Sequence, residues 1–146
     1  MPLAKYFLEL QYSYENCHFR IFVLLSTQGS ITQKTDCARL AENILIRISS
    51  RDTIFASLVV KDYYDAIHSF AEAISIEKGW KFSGDGAHRE LLDFVAKERH
   101  LSENHRVFLQ ELRDFRNRIL CEGFELSKEY LLSKETGLKN IIELLK

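Results

Sequence analysis

The sequence predicts an all-α fold, an up-and-down antiparallel bundle of four to five helices. Three observations predict it. Proline occurs once, at position 2, so no later residue imposes a proline break. Apolar residues recur at steps of three and four over long runs, the spacing that lines one face of a helix. The polar stretches between those runs are short, which makes successive helices pack antiparallel. A chain of 146 residues is long enough to bury one core without staples.

Composition narrows the function classes. Hydrophobic residues make up 46% and charged residues 28%, as in ordinary water-exposed domains. A net charge of −1 gives no global basic footprint, so a nucleic-acid contact requires a local patch. Cys17, Cys37 and Cys121 are odd in number and widely spaced. That argues against a disulfide framework and for a reducing, cytoplasmic setting. The longest apolar run, Ile21 to Leu25, is far too short to span a bilayer, and Glu9 and Gln11 interrupt any signal-peptide core. No cofactor motif is present. Ser83-Gly84-Asp85-Gly86 lacks the lysine and spacing of a phosphate loop, and the histidines and cysteines lack metal-ligand spacing.

The chain divides into an N-terminal segment, 1–34, and a helical bundle, 35–146. Leu3 to Ser26 admits two readings. As a helix, Leu3, Phe7, Leu10, Tyr14, Cys17, Ile21 and Leu24 step by four and three. As a hairpin, Leu8, Leu10, Tyr12 and Tyr14 alternate with polar residues, Glu15-Asn16 turns, and Phe19, Ile21 and Val23 return. A lone hairpin is marginal and no third strand is visible, so the helix is preferred. Thr27 to Lys34 is polar and reads as a loop.

Thr35 or Asp36 caps the next helix, with Leu40, Ala41, Ile44, Leu45 and Ile48 as its stripe. Asp52 or Thr53 caps the longest apolar run, Ile54 to Lys78. Val60, Tyr63, Tyr64, Ile67, Phe70, Ala71 and Ile74 form its wide buried face, and Gly79 ends it. Asp85 caps a short helix from His88 to Arg99 with Leu91, Leu92 and Val95 inward. Ser102 caps a helix that runs to Gly123. Its stripe is Phe108, Leu112, Phe115 and Ile119, widened by Leu109 and Leu120. Glu111, Asp114 and Arg118 lie opposite. Ser127 caps a last helix with Leu131, Leu138, Ile141, Ile142 and Leu145 inward, weakened or kinked at Gly137.

One order of motifs carries a resemblance. Tyr63-Tyr64-Asp65-Ala66-Ile67-His68 sits on the longest helix. A short helix follows, and then Leu112-Arg113-Asp114-Phe115-Arg116-Asn117-Arg118-Ile119. From about Asp36 to Leu145 this resembles the HEPN superfamily, named for higher eukaryotes and prokaryotes nucleotide-binding. There a YYxAxH-like helix precedes one bearing an arginine–polar pair and, after a short spacer, a histidine. The resemblance implies a HEPN-like bundle and a homodimer in which two such arginines meet. It implies RNA or a nucleotide as ligand, or a protein partner of nucleotidyltransferase type. Active members are ribonucleases of toxin–antitoxin or defence systems.

Carried onto this chain, the arginine is Arg116, the polar residue Asn117, and the histidine position falls on Cys121. Histidine suits metal-independent RNA cleavage because it exchanges protons near neutrality. A thiol with an ordinary value near 8.5, at a helix C-terminus, does not take over that role. The resemblance therefore implies a catalytically degenerate binding protein ahead of an active ribonuclease.

Each candidate also has a plain reading. Arg116 is equally a half-buried arginine paired to a carboxylate. His68, on the core-facing side of the long helix, is equally a satisfied buried histidine, and as an auxiliary group it would sit near Arg116. Asp65, three residues earlier, suits a pair with Arg116 in either case. Lys97, Arg99, His100, His105 and Arg106 cluster around a loop, but Glu98 and Glu103 interleave, so the cluster reads as a solvated surface. Trp80 and Phe82 read as a lid on the core. A purely structural dimerisation module is the third reading.

Overall fold

The computed structural model describes residues 8–11, 20–23, 27–49 and 55–146. Five helices pack together: α1 (Thr27–Ser49), α2 (Ala56–Glu77), α3 (Ala87–Glu98), α4 (Glu103–Glu122) and α5 (Lys128–Leu145). A two-stranded antiparallel hairpin, β1 (Leu8–Gln11) and β2 (Arg20–Val23), precedes them. The preferred helix over 3–26 is thus corrected at both strands. Register explains why. Leu8 pairs with Val23 and Leu10 with Ile21, an alternation of paired positions that matches the period of two in the sequence. The predicted turn at Glu15-Asn16 lies outside the described residues.

The predicted loop over 27–34 is also corrected. It forms the first two turns of α1, so this helix crosses the 34/35 division. Its polar residues carry little packing information, and the single Gly29 is not enough to stop a helix. Lys34 reaches Glu77 at 3.0 Å, so this end of α1 meets the far end of α2. Thr35 and Asp36 lie inside α1 and do not cap it; Asp36 instead accepts from Arg39 one turn on. Leu40 is exposed, while Ala41, Ile44 and Ile48 face the core.

Helix α2 is the hub and packs against each of the other four helices. Small residues make this possible. Ala66, Ser69, Ala71, Ala73 and Ser75 are buried among the larger Tyr63, Tyr64, Ile67, Phe70 and Ile74, so backbones approach on several sides. Helix α2 ends in a Schellman turn. Trp80 N donates to Ser75 O at 2.8 Å and Gly79 N to Ile76 O at 2.9 Å, with Gly79 at φ +80°. Its predicted caps, Asp52 and Thr53, lie outside the described residues. Phe55 precedes its first turn without a side-chain cap.

At α3 the cap position is Gly86, in the left-handed region, and not Asp85. Ser102 and Ser127 cap α4 and α5 as predicted, accepting from His105 N at 3.3 Å and Tyr130 N at 3.1 Å. Gly123 ends α4 at φ +64°. Helix α5 runs unbroken through Gly137, and its five predicted inner residues are all buried. Leu109 and Leu112 form the buried line of α4, with Phe108, Phe115 and Ile119 at its margins; Leu120, expected to widen the stripe, is 51% exposed.

This core sets a stability prediction. Leu112→Ala should destabilise by about 2–5 kcal/mol, because the side chain is fully enclosed. Val107→Ala, at a position of the same helix that is 55% exposed, should stay within about 0.5 kcal/mol. Urea unfolding midpoints check both; equal losses would contradict the assignment of the α4 face.

Candidate functional site

Four polar residues of α2, at positions 61, 65, 68 and 72, fall at steps of four and three that align them as one seam on a largely apolar helix, with the buried Asp62 beside it. Lys61 Nζ lies 2.6 Å from Asp65 Oδ2 and 3.6 Å from Asp62 Oδ1. His68 Nδ1 lies 3.8 Å from Glu72 Oε2. Three other helices complete the seam. Helix α4 brings Arg116, whose Nε stands 3.8 Å from Asp65 Oδ1. The first turn of α3 brings His88, whose ring centroid is 4.4 Å from that of His68. Helix α1 brings Cys37, whose thiol points to Glu72 Oε2 at 3.9 Å. Tyr64, buried beside the seam, has its hydroxyl 3.3 Å from His88 Nδ1.

Arg116 is therefore joined to α2, as expected from Asp65, but loosely. Its Nε is buried and makes no hydrogen bond, and its Nη1 reaches Asn117 Oδ1 at only 3.4 Å. The guanidinium retains donor capacity for an incoming anion. Its neighbours are otherwise engaged. Arg113 is bound to Asp114 at 2.6 Å. Arg118 lies 3.7 Å over the ring of Phe124, which Gly123 turns back to stack on Phe115.

Electrostatics follow from this arrangement. Burial pushes the His68 pKa down; Asp65 opposes the shift and Arg116 adds to it. The His88 pKa is lowered by burial, then by His68 and Arg116. The Tyr64 hydroxyl is pushed up to about 12 by burial, with Arg116 and Arg113 opposing. Burial also raises the Glu72 carboxyl and the Cys37 thiol, the latter further raised by Glu72 and Asp36. At neutral pH the two imidazoles are uncharged beside one arginine.

Arg116, Asp65 and His68 thus come together. Cys121 does not join them; its thiol is exposed on α4 and free. Asn117 is exposed as well. The basic cluster is neutralised in part, with Arg106 bound to Glu103 at 2.6 Å and Asp93 at 3.1 Å. Phe82 packs on the core against Phe94, as a lid should. Sequence reasoning missed His88, Tyr64, Glu72 and Cys37 as members of one site. The i, i+4 spacing of Tyr64, His68 and Glu72 was the available signal; the approach of His88 and Cys37 is purely tertiary.

Among the described residues, no group of three or more His, Cys, Asp or Glu is arranged to hold a metal ion. No described helix is long and apolar enough to cross a membrane. Comparison with known families, with curated proteins and with solved structures gives no match.

The imidazoles set a pH dependence. Because the folded value of His68 is below the ordinary 6.5, the unfolded chain binds more protons just under that pH. Stability is full above 6.5 and falls as pH drops toward the folded value, with His88 acting in the same sense. Glu72, raised above its ordinary 4.5, acts oppositely at the acid end of the window. His68→Gln should flatten the loss between about pH 7 and about pH 5.5, read from urea midpoints at each pH. An unchanged slope would contradict the buried, neutral imidazole.

Proposed function

We propose that this chain is a HEPN-like up-and-down helical bundle that acts as a homodimer and binds RNA or a nucleotide through phosphate at Arg116, without cleaving it. The observation that carries this reading is the Arg116 guanidinium itself, half-buried with a buried Nε that makes no hydrogen bond, beside an ion pair of only 3.8 Å. A phosphate oxygen supplies what Asp65 does not, a short charge-assisted bond. The order of helices α2 to α5 and the runs Tyr63–His68 and Arg116-Asn117 support the family reading. So do two contacts to α2, Arg116 of α4 with Asp65 and, from the connection between α4 and α5, Leu126 N with Ser57 Oγ at 2.7 Å.

The exposed Cys121 supports a degenerate site. By the resemblance, the thiol takes the position where active members carry the general acid–base, and it is exposed. For the dimer, Leu120 lies one turn beyond Arg116 and is 51% exposed, and Leu58 and Phe55 are exposed where α2 begins, next to the connection between α4 and α5. Exposed apolar side chains of this kind suit a two-fold contact. A nucleotidyltransferase-type protein is an alternative occupant of the same face.

One observation favours a second reading, a metal-independent ribonuclease. The His68 and His88 rings lie 4.4 Å apart, and either imidazole, neutral near pH 7, suits proton transfer.

One pair of assays separates the readings. Wild type should bind single-stranded RNA and leave it intact, and Arg116→Ala should weaken binding roughly tenfold, the loss of one charge-assisted contact. Cleavage by wild type that disappears in Arg116→Ala would overturn the degenerate reading. A purified dimer that neither binds nor cleaves would leave a structural module. A solution mass equal to one subunit at micromolar concentration would contradict the dimer.

A further inference from the structure

A cavity of about 430 Å³ opens between α2, the first turn of α3, the segment 81–84 and α1. Ile76, Ala87 and Leu91 give it apolar walls. His68 and His88, tilted by 32° at 4.4 Å, give it a heteroaromatic surface, and Phe82 adds a second ring. The polar group best placed to read a ligand is Glu72, whose side chain is 46% exposed. Its contacts with Cys37 (3.9 Å) and His68 (3.8 Å) are long and both fall on Oε2. No described residue donates a hydrogen bond to Oε1. An ionised carboxylate only accepts, so the matching edge is planar and carries two adjacent N–H donors.

Among the common bases only guanine has that edge, in N1–H and the N2 amino group. Adenine sets a ring nitrogen lone pair beside its single amino donor, cytosine likewise, and uracil flanks one N–H with two carbonyls. Unstacked bases are held by aromatic or imidazole faces and read on this same edge.

We propose that the cavity is a base pocket for guanine, with Glu72 accepting from N1–H and N2–H and the His68–His88 pair stacking on the ring. This rests on the phosphate reading of Arg116 and extends it to the base. Asp65, the partner of Arg116 at 3.8 Å, precedes the cavity residue His68 by one turn of α2, so the phosphate and base of one guanosine nucleotide can reach the two subsites.

The test is a calorimetric titration of the full chain with guanosine and adenosine 5′-monophosphates. The guanine nucleotide should bind about tenfold or more tighter, the discrimination of one bidentate pair. Glu72→Gln, which offers one acceptor and one donor, should reduce the ratio to within about threefold while adenine nucleotide binding stays unchanged. Circular dichroism checks that the variant is folded. Arg116→Ala should weaken both nucleotides alike. Equal binding of the two by wild type, or a ratio that survives Glu72→Gln in folded protein, overturns the pocket. If both then fall together in Arg116→Ala, the phosphate reading stands alone. A guanine preference that Glu72→Gln abolishes and Arg116→Ala leaves at full strength supports the pocket and overturns the phosphate contact. Binding of neither nucleotide overturns both.

Discussion

Helix α2 is enclosed by four neighbours, and that constraint governs both stability and the site. A helix buried on several sides has little room for charge, because an unpaired buried charge is costly. The Ala and Ser positions let neighbouring backbones close in, and the large residues fill what remains. Lys61, Asp65, His68 and Glu72 are confined to the one seam where partners from α1, α3 and α4 can reach them. The seam thus gathers most of the charge on α2, and the buried Asp62 lies beside it, 3.6 Å from Lys61. It also holds the loosest polar contacts, at 3.8 to 3.9 Å, where an outside group could improve the bonding.

The chemistry of the seam is set by desolvation more than by pairing. Burial is the leading cause of the shifts at His68, His88, Glu72, Tyr64 and Cys37. The result is two neutral imidazoles and a reluctant carboxylate beside the Arg116 guanidinium and the Lys61–Asp65 ion pair. Such a set suits recognition of an anion next to a planar heterocycle. It also retains the imidazoles that proton transfer would need, which is why cleavage and binding are separated by assay. The Cys121 thiol is exposed and outside this set.

The bundle was legible where sequence signals were local and reinforced one another. Ser102, Ser127, Gly79 and Gly123 mark helix ends through side-chain or backbone geometry fixed within a few residues. The inner face of α5 followed from spacing alone. Legibility failed where local signals were weak. Polar Thr27 to Lys34 looks like a loop because nothing in its pattern reports that α1 extends over the end of α2, where Lys34 meets Glu77. Leu40 and Leu120 fit their stripes by period yet lie just outside the arc that a neighbour covers. The hairpin satisfied both periods, and pairing between β1 and β2 decided it. For the site, Asp65 and Arg116 were matched in advance by charge. His88 meets His68 through the packing of α3 on α2, a relation between segments twenty residues apart that no spacing rule contains.

The central claim is that Arg116 of α4 shares one electrostatic site with the imidazoles of α2 and α3. Titrating the histidine ring protons by NMR, in wild type and in Arg116→Gln, tests it directly. Removing the guanidinium charge should raise the pKa values of both His68 and His88, because that charge now disfavours their protonation. If His68 and His88 titrate unchanged, Arg116 does not stand at the seam, and the site described here is contradicted.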